Sequence, residues 1–289
     1  MTISENTKAI LLLTAPLIVG KSSSSNTDAK ELSPGEYNKL ASELKTHNFQ
    51  PQDLTSSDSS ILSKIECIEA ERISALVARG FLLGQAIDHW QSRGIWVLSR
   101  ADKDYPKLLK DKLKQYAPPI LYGCGNLDLL DEEGVGIVGS RKVDKETEEW
   151  TREIASLIAS SGLSVVSGGA KGVDITSMNT ALESGGSAIG FLGDSLFKKS
   201  VDSGYRSHLM DGRLTLLSAV DPSAGFNVGN AMQRNKFIYA FSKAGIVVNA
   251  DFEKGGTWSG AVEQLKRFKC CKVFVRIFGK VAKGNKELV

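Results

Sequence analysis

The sequence is poor in the residue types that build metal sites, disulfide frameworks and membrane spans. It contains four cysteines with no C-x-x-C pair and three widely separated histidines, so we expect no zinc site and reduced thiols. The apolar run from Ala9 to Gly20 is interrupted by Pro16 and is not followed by an A-x-A-like cleavage site. A bilayer span takes about 20 residues. We therefore expect this run to form a buried first helix.

Motifs for common catalytic and cofactor sites are also missing. Neither G-x-x-x-x-G-K-[ST], G-x-S-x-G nor H-E-x-x-H occurs, which argues against a P-loop, an α/β-hydrolase and a zinc protease. The segment GIVGSRK lacks the third glycine of a dinucleotide fingerprint, and no acidic residue ends the next strand. The formal charge of +3 permits nucleic-acid binding without showing it. We predict no catalytic residue, no metal and no cofactor.

The first 93 residues are predicted to form a small helical domain. Ser33, Pro34 and Glu36 make a capping box with proline at the first helical position, and apolar residues follow at helical spacing. A serine-rich loop from Lys21 to Lys30 precedes this helix. The second domain is predicted to cover residues 94–289.

From Val135 onward, short apolar runs alternate with helical patterns. We predict strands at 95–98, 120–122, 135–138, 163–166, 188–192, 214–217, 245–248 and 272–275. A helix is expected from about Ala231 to Phe241, and the tail after Phe278 is expected to be irregular. Strands joined by crossover helices indicate an α/β fold with a doubly wound, mostly parallel sheet.

Two glycine-bearing turns, each with a cation, follow neighbouring predicted strands. The first is Gly139, Ser140 and Arg141, and the second runs from Ser167 to Gly172 and includes Gly168, Gly169 and Lys171. Ligands of such sheets bind at the carboxyl ends of the strands. A glycine turn before a helix directs backbone N–H groups at an anion. The two turns therefore predict a phosphate-binding crevice.

Two later segments lengthen this predicted crevice. Arg234, Asn235 and Lys236 are expected to open a helix with cations near its N-terminus. Gly255, Gly256 and Thr257 form another glycine turn before a helix. Several such turns at one edge of a sheet would make a cationic groove. A groove suits a polyanion better than a single nucleotide.

Taken together, these segments resemble the DNA processing protein A (DprA, also called Smf) family. The matching elements appear in the right order between Ile95 and Val275. They are Asp104-Tyr105-Pro106, Pro118-Pro119-Ile120-Leu121-Tyr122-Gly123, Gly136-Ile137-Val138-Gly139-Ser140-Arg141, Ser167-Gly168-Gly169-Ala170-Lys171-Gly172-Val173-Asp174, Arg234-Asn235-Lys236 and Gly255-Gly256-Thr257. The chain departs from the family pattern at Asn249, where an acidic residue is usual.

The resemblance implies an extended Rossmann-like domain in a cytoplasmic protein that binds single-stranded DNA without cleaving it. Such proteins shield incoming strands during natural transformation and help load the RecA recombinase, often as homodimers. By motif, Arg141 and Lys171 would contact backbone phosphates, and Arg234 and Lys236 would extend the groove. The glycines of the turns, with Ser140, would let the DNA approach the backbone closely.

Two alternatives remain open at this point. The lysine-decarboxylase-like (LOG) phosphoribohydrolases use P-G-G-x-G-T-x-x-E, of which Gly255, Gly256, Thr257 and Glu263 are a distorted version. That resemblance would imply an enzyme or sensor for a small nucleotide. A phage-defence relative that keeps the DNA groove but serves another partner is the other alternative.

Overall fold

The computed structural model describes residues 2–19, 29–56, 60–132 and 134–289, so most of the predicted serine-rich loop lies outside the described residues. The strands are β1 (Trp96–Ser99), β2 (Ile120–Gly125), β3 (Gly134–Val138), β4 (Ser164–Ser167), β5 (Ala188–Leu192), β6 (Leu214–Ser218), β7 (Ser242–Val247) and β8 (Lys272–Val275). The α-helices are α1 (Glu5–Thr14), α2 (Pro34–Thr46), α3 (Ala70–Val77), α4 (Gly80–Gln91), α5 (Lys107–Leu113), α6 (Lys145–Ser160), α7 (Val173–Glu183), α8 (Leu196–Lys199), α9 (Ser203–Met210), α10 (Val228–Gln233), α11 (Asn235–Ala240), α12 (Gly255–Glu263) and α13 (Lys283–Glu287). Short 3₁₀ helices cover Pro51–Thr55, Leu62–Lys64, Lys114–Tyr116 and Leu127–Asp131, and a π-helical turn, Gln264–Phe268, follows α12.

Within the described residues, all these strands form one eight-stranded sheet in the order β1-β2-β6-β5-β4-β3-β7-β8. The β1–β2 and β2–β6 pairs are antiparallel, and the remaining pairs are parallel. The predicted α/β fold with a mostly parallel sheet is therefore confirmed. In the sheet, β4 lies on one side of β3, and β7 lies on the other side of β3. This reversal of strand order creates a crevice at the carboxyl ends of β3 and β7.

The predicted strand positions agree closely with the observed ones, because most of the strands are short apolar runs buried on both faces. Every residue of β3, β5 and β6 is buried. Two helix predictions were wrong. The single helix expected from Ala231 to Phe241 is instead two short helices, α10 and α11, which meet at Arg234. The tail expected to be irregular contains α13, in which Asn285 is fully buried.

The N-terminal helices pack directly on the sheet. The predicted capping box is present: Ser33 Oγ accepts from Glu36 N at 3.3 Å, and Ser33 N donates to Glu36 Oε2 at 2.7 Å. Hydrogen bonds from Arg72 and from Ser33 lower the pKa of Glu36 to about 2. Trp90 of α4 meets Tyr122 of β2 edge-to-face at 5.0 Å, and both belong to one apolar cluster. The boundary between residues 93 and 94 stays a prediction.

Candidate functional site

A cleft of about 510 Å³ lies at the carboxyl ends of β3 and β7, where the sequence predicts the crevice. We call it the first cleft. The predicted site residues that line it are Gly139, Ser140, Arg141, Arg234, Asn235, Gly255, Gly256 and Thr257. The first glycine turn, the α10–α11 junction and the start of α12 thus meet in one cleft, although they are far apart in sequence.

The N-terminus of α12 opens into the first cleft. Its N-cap, Lys254, makes no capping side-chain hydrogen bond, and its first turn contains no acidic residue. Thr257 Oγ1 donates to Gly139 O at 2.9 Å, and Asn235 Nδ2 donates to Gly256 O at 2.8 Å. These bonds hold α12 against the β3 turn and α11. An uncapped helix N-terminus with free N–H groups and a positive dipole end attracts an anion.

The exposed cations of the first cleft are Arg141 and Lys254. Arg141 lies over the ring of Phe226, with 5.1 Å between its Cζ atom and the ring centroid. Phe226 is 58% exposed, which is high for a phenylalanine. Val228 and Met232, also exposed, continue this apolar wall. The sequence analysis missed Phe226, because an isolated aromatic in a loop shows no pattern that distinguishes it from a surface residue.

The sequence predicts that Arg234 lines the groove as a free cation, but the side chain is mostly buried in an ion pair. It is only 8% exposed, and its Nη2 atom pairs with Asp174 Oδ2 at 2.8 Å. A side chain at Gly168 would overlap the Arg234 guanidinium, so this glycine makes room for the arginine. The Nη1 atom is buried without a hydrogen-bond partner among the described residues. Arg234 therefore joins α10 and α11 to the first turn of α7 in addition to lining the cleft.

The second glycine turn lies mostly behind the first one: Ala170 lines the first cleft, whereas the predicted site residues Ser167, Gly168, Gly169, Lys171 and Gly172 do not. Ser167 is buried and donates to Ile137 O at 2.6 Å. Gly172 has φ +83°, and a side chain there would collide with the carbonyl oxygens of Ser140 and Arg141. Val173 N donates to Ser140 O at 3.3 Å. Lys171 is exposed outside the cleft. The second turn thus supports the first by close backbone packing.

The helix after the first glycine turn is not an open anion site. It begins at Lys145, and its N-cap Asp144 accepts from Thr147 N at 2.9 Å. Hydrogen bonds from Thr147, together with the charges of Lys280 and Arg276, lower the pKa of Asp144 below its ordinary value. A carboxylate already occupies this N-terminus. Of α6 and α12, which follow the two turns that line the first cleft, the helix with the open N-terminus is therefore α12.

Lys236 does not line the first cleft but a neighbouring one of about 600 Å³, which we call the second cleft. It lies on the other side of α10, beside Tyr116, Gln233 and Phe237. Burial lowers the pKa of Lys236, and the nearby carboxylate of Glu263 opposes this shift. Arg234 lines both clefts. The Arg234–Lys236 segment thus separates two cavities rather than extending one.

The C-terminal segment packs at the carboxyl end of β7, beside Asn249 of the first cleft. Asn249, which replaces the usual acidic residue, lines the cleft and accepts from Ala282 N at 3.2 Å. Asn285 accepts from Ala250 N at 2.7 Å and donates to Val248 O at 3.0 Å. The amide of Asn249 therefore helps to position the tail at the carboxyl end of β7.

The described residues contain no group of three or more His, Cys, Asp or Glu side chains that could hold a metal ion. Glu263, the carboxylate of the phosphoribohydrolase alternative, does not line the first cleft. It pairs instead with Arg267 at 3.3 Å. In the part of the chain that the structure describes, no helix is long and apolar enough to cross a membrane.

Known proteins are similar in sequence to about half of this chain. "Protein Smf" of Synechocystis is 30% identical over 178 residues, which are 59% of this chain and 44% of that protein. "DNA processing protein DprA" of Streptococcus pneumoniae is 30% identical over 141 residues, which are 48% of this chain and 49% of that protein. The matches thus span about half the length of these relatives or less.

Two solved structures share the fold. The DprA structure from Streptococcus pneumoniae covers 100% of this chain with a TM-score of 0.72 at 21% identity, and 91% of that chain is covered. DNA processing protein A from Helicobacter pylori, studied for its single-stranded DNA binding mode, covers 67% of this chain with a TM-score of 0.55 at 26% identity, and 86% of that chain is covered. The sequence profile described as "DNA recombination-mediator protein A" matches residues 96–289, well over half of the chain. The predicted resemblance is confirmed: the chain belongs to the DNA recombination-mediator protein A family.

Proposed function

We propose that the protein binds single-stranded DNA at the carboxyl edge of its sheet and does not cleave it. The observation that carries this proposal is the uncapped N-terminus of α12, which opens into the same cleft as Arg141 and Lys254. Backbone N–H groups and flexible cations together bind phosphate oxygens without a metal ion. The Helicobacter pylori relative is described as binding single-stranded DNA, which supports the same ligand here.

The shape and lining of the first cleft favour a single strand over a duplex. A cleft of about 510 Å³ is large enough for an unpaired nucleotide, whereas the stacked bases of a duplex stay inside the double helix. The exposed Phe226 gives an unpaired base a ring on which to stack. Phosphates would then lie toward Arg141 and the start of α12.

The family relationship supports a role in protecting incoming DNA and in assisting RecA-mediated recombination during natural transformation, in the cytoplasm. A homodimer is the assembly we propose. The edge strand β8 exposes Phe274, and Ile277 and Phe278 follow it with exposed side chains. An exposed edge strand with apolar side chains readily pairs with another chain. Sedimentation equilibrium that gives the monomer mass at all concentrations would contradict the dimer.

The DNA proposal is tested by an electrophoretic mobility shift with single-stranded and duplex DNA of equal length, followed by a salt titration. If ~4 phosphates are contacted, the logarithm of affinity should fall with the logarithm of salt with a slope of about −3, because each contributes about −0.7. Tighter binding of the duplex, or a salt-independent affinity, would overturn the proposal. Intact DNA after prolonged incubation with the protein is the expected result for a protein that does not cleave it.

The phosphoribohydrolase alternative predicts release of free base from a nucleoside monophosphate and its loss in Glu263→Gln. The position of Glu263 outside the first cleft gives this reaction no support. The phage-defence alternative keeps the same DNA cleft and differs only in the partner.

A further inference from the structure

The second cleft lies at the same edge of the sheet as the first one. Gly193 follows β5 and Ala219 follows β6, and both line it. Helix α10 forms the ridge between the clefts, because Asn230 and Gln233 face the second cleft, whereas Ala231 and Met232 line the first. A strand that leaves the first cleft across α10 therefore enters the second.

The N-terminal helical region supplies one wall of the second cleft. Pro34, Gly35 and Asn38 of α2 line it opposite α10. Asn38 Nδ2 donates to Gln115 O at 2.8 Å, and Arg100 donates to Asn38 Oδ1. These bonds attach α2 to the turn that carries Tyr116. The family profile begins at residue 96, so this wall comes from the part of the chain outside the profile.

The charges of the second cleft suit a polyanion. Among the described residues, its lining contains Arg234 and Lys236 but no carboxylate. Lys236 Nζ lies 5.2 Å from the centroid of the Phe237 ring. A cation over an aromatic face can neutralise a phosphate beside a stacked base.

The remaining lining suits a flat, partly polar ligand. Tyr116 is 41% exposed and forms the lip, where Arg267 lies 4.5 Å from the ring centroid. Asn230 and Gln233 add amide donors and acceptors to the lining. Aromatic rings with amides are the surfaces that recognise unstacked bases, by stacking and by hydrogen bonds to base edges. At about 600 Å³, the cleft is large enough for a nucleotide.

We propose that the second cleft receives an unstacked base of the same DNA strand whose phosphates bind in the first cleft. This inference rests on the proposed function. Tyr116 provides the aromatic surface, Gln233 and Asn230 contact the base edge, and Lys236 neutralises the adjacent phosphate. The N-terminal helices thus shape a base site that the family-profile region alone would leave open on one side.

The test compares two ligands of equal length and charge, a thymidine oligonucleotide and an abasic oligonucleotide with the same phosphodiester backbone. Affinities are measured by fluorescence anisotropy for the full chain. The wild-type protein should prefer the thymidine strand by about 5- to 150-fold, which corresponds to ~1–3 kcal/mol per stacked base. Tyr116→Ala should lose the part of this preference that one stacked base contributes and keep its affinity for the abasic strand. Tyr116→Phe should keep the preference.

The control for Tyr116→Ala is Phe81→Ala, which removes a 77% exposed aromatic from α4 and should leave both affinities unchanged. Phe226→Ala reports on stacking in the first cleft. A preference that survives Tyr116→Ala but is lost in Phe226→Ala overturns the inference and leaves DNA binding intact. Equal affinities of the wild-type protein for both strands would also overturn the inference and leave DNA binding intact. If neither strand binds, the proposed function fails, and this inference fails with it.

Discussion

The two glycine turns after β3 and β4 look alike in sequence but have different structural roles. Both contain glycines and a cation, and both precede a helix. The turn with Ser140 and Arg141 lines the first cleft, whereas Ser167 and Gly168 are buried behind it. Gly168 accommodates the Arg234 guanidinium, and Gly172 accommodates the backbone of the first turn.

This difference shows that a glycine turn in the sequence predicts a close contact with the backbone but does not identify the group that makes the contact. At a strand end, the approaching group is either a ligand or another part of the chain. In this protein the helix N-terminus that opens into the first cleft follows a third turn, the one before α12, and it is uncapped. The second turn supports the site through Asp174, which neutralises a buried arginine.

The largest expected effect comes from breaking the ion pair behind the second turn. Asp174→Asn keeps the shape but leaves Arg234 as an uncompensated buried cation. Because removal of one partner of a buried pair costs about 3–5 kcal/mol, we expect a loss of that size in the free energy of unfolding by urea. Asp251→Asn, an exposed carboxylate at the first cleft, is the control and should change stability by less than about 0.5 kcal/mol. Similar small losses in both would show that Asp174 has no such role.

Contact between the two turns can be tested at Gly172. Gly172→Ala places a methyl group against the Ser140 and Arg141 carbonyls at φ +83°. We expect a loss of about 2–5 kcal/mol in the free energy of unfolding, the sum of left-handed strain and overpacking. Gly255→Ala is the matched control, since its φ is +75° but nothing lies within 4 Å of the added carbon. Strain alone there should cost about 1–2 kcal/mol. Equal losses would mean that the turns do not pack tightly.

The sheet could be predicted from sequence because most of its strands are buried apolar runs bounded by glycines and polar residues. The helix break at Arg234 could not, since it follows from the buried pair with Asp174, which lies 60 residues away. Local helical spacing carries no information on such a contact. The tail was misjudged for the same reason, because Asn285 becomes buried only through its bonds to Ala250 and Val248.

The candidate site was predictable as a strand-end cleft but not in its details. The Asp144 cap before α6 was visible in the sequence and could have excluded that helix N-terminus. Phe226 and Tyr116 could not be found, because each gains its position from a distant partner, Arg141 or Arg267. The division into two clefts depends on α10, whose two faces are not distinguished by local composition.

Another strand-end turn, after β6, carries Phe226 and is held by a buried carboxylate. Asp221 accepts from Ile18 N at 3.2 Å and from Ser223 N at 2.9 Å, and burial raises its pKa from 3.8 to about 6. The folded state therefore holds this proton more tightly than the unfolded state. The resulting stabilisation is complete below about pH 4 and is lost as the pH rises through about 6.

Asp221→Asn keeps an acceptor oxygen and removes this titration. Relative to the variant, the wild-type protein should lose about 3 kcal/mol of unfolding free energy between about pH 3 and pH 7, as the shift in pKa implies. Urea unfolding of both proteins at several pH values measures the difference. A difference that does not change with pH would mean that Asp221 titrates normally, and the turn with Phe226 would then resemble an ordinary surface loop.

The smallest expected effect is a difference in DNA affinity between variants of the two cations, one from each glycine turn. Arg141→Ala removes a cation from the first cleft, and we expect about tenfold weaker binding of single-stranded DNA, from ~1.5 kcal/mol for a charge-assisted hydrogen bond. The salt slope should become shallower by about 0.7. Lys171→Ala, on the second turn outside the cleft, should change both quantities less. Because both side chains are exposed, melting temperatures should stay nearly unchanged. Equal losses of affinity would mean that the strand also crosses the second turn, as the sequence hypothesis of two phosphate contacts requires. A fall in melting temperature would instead assign these cations to the fold.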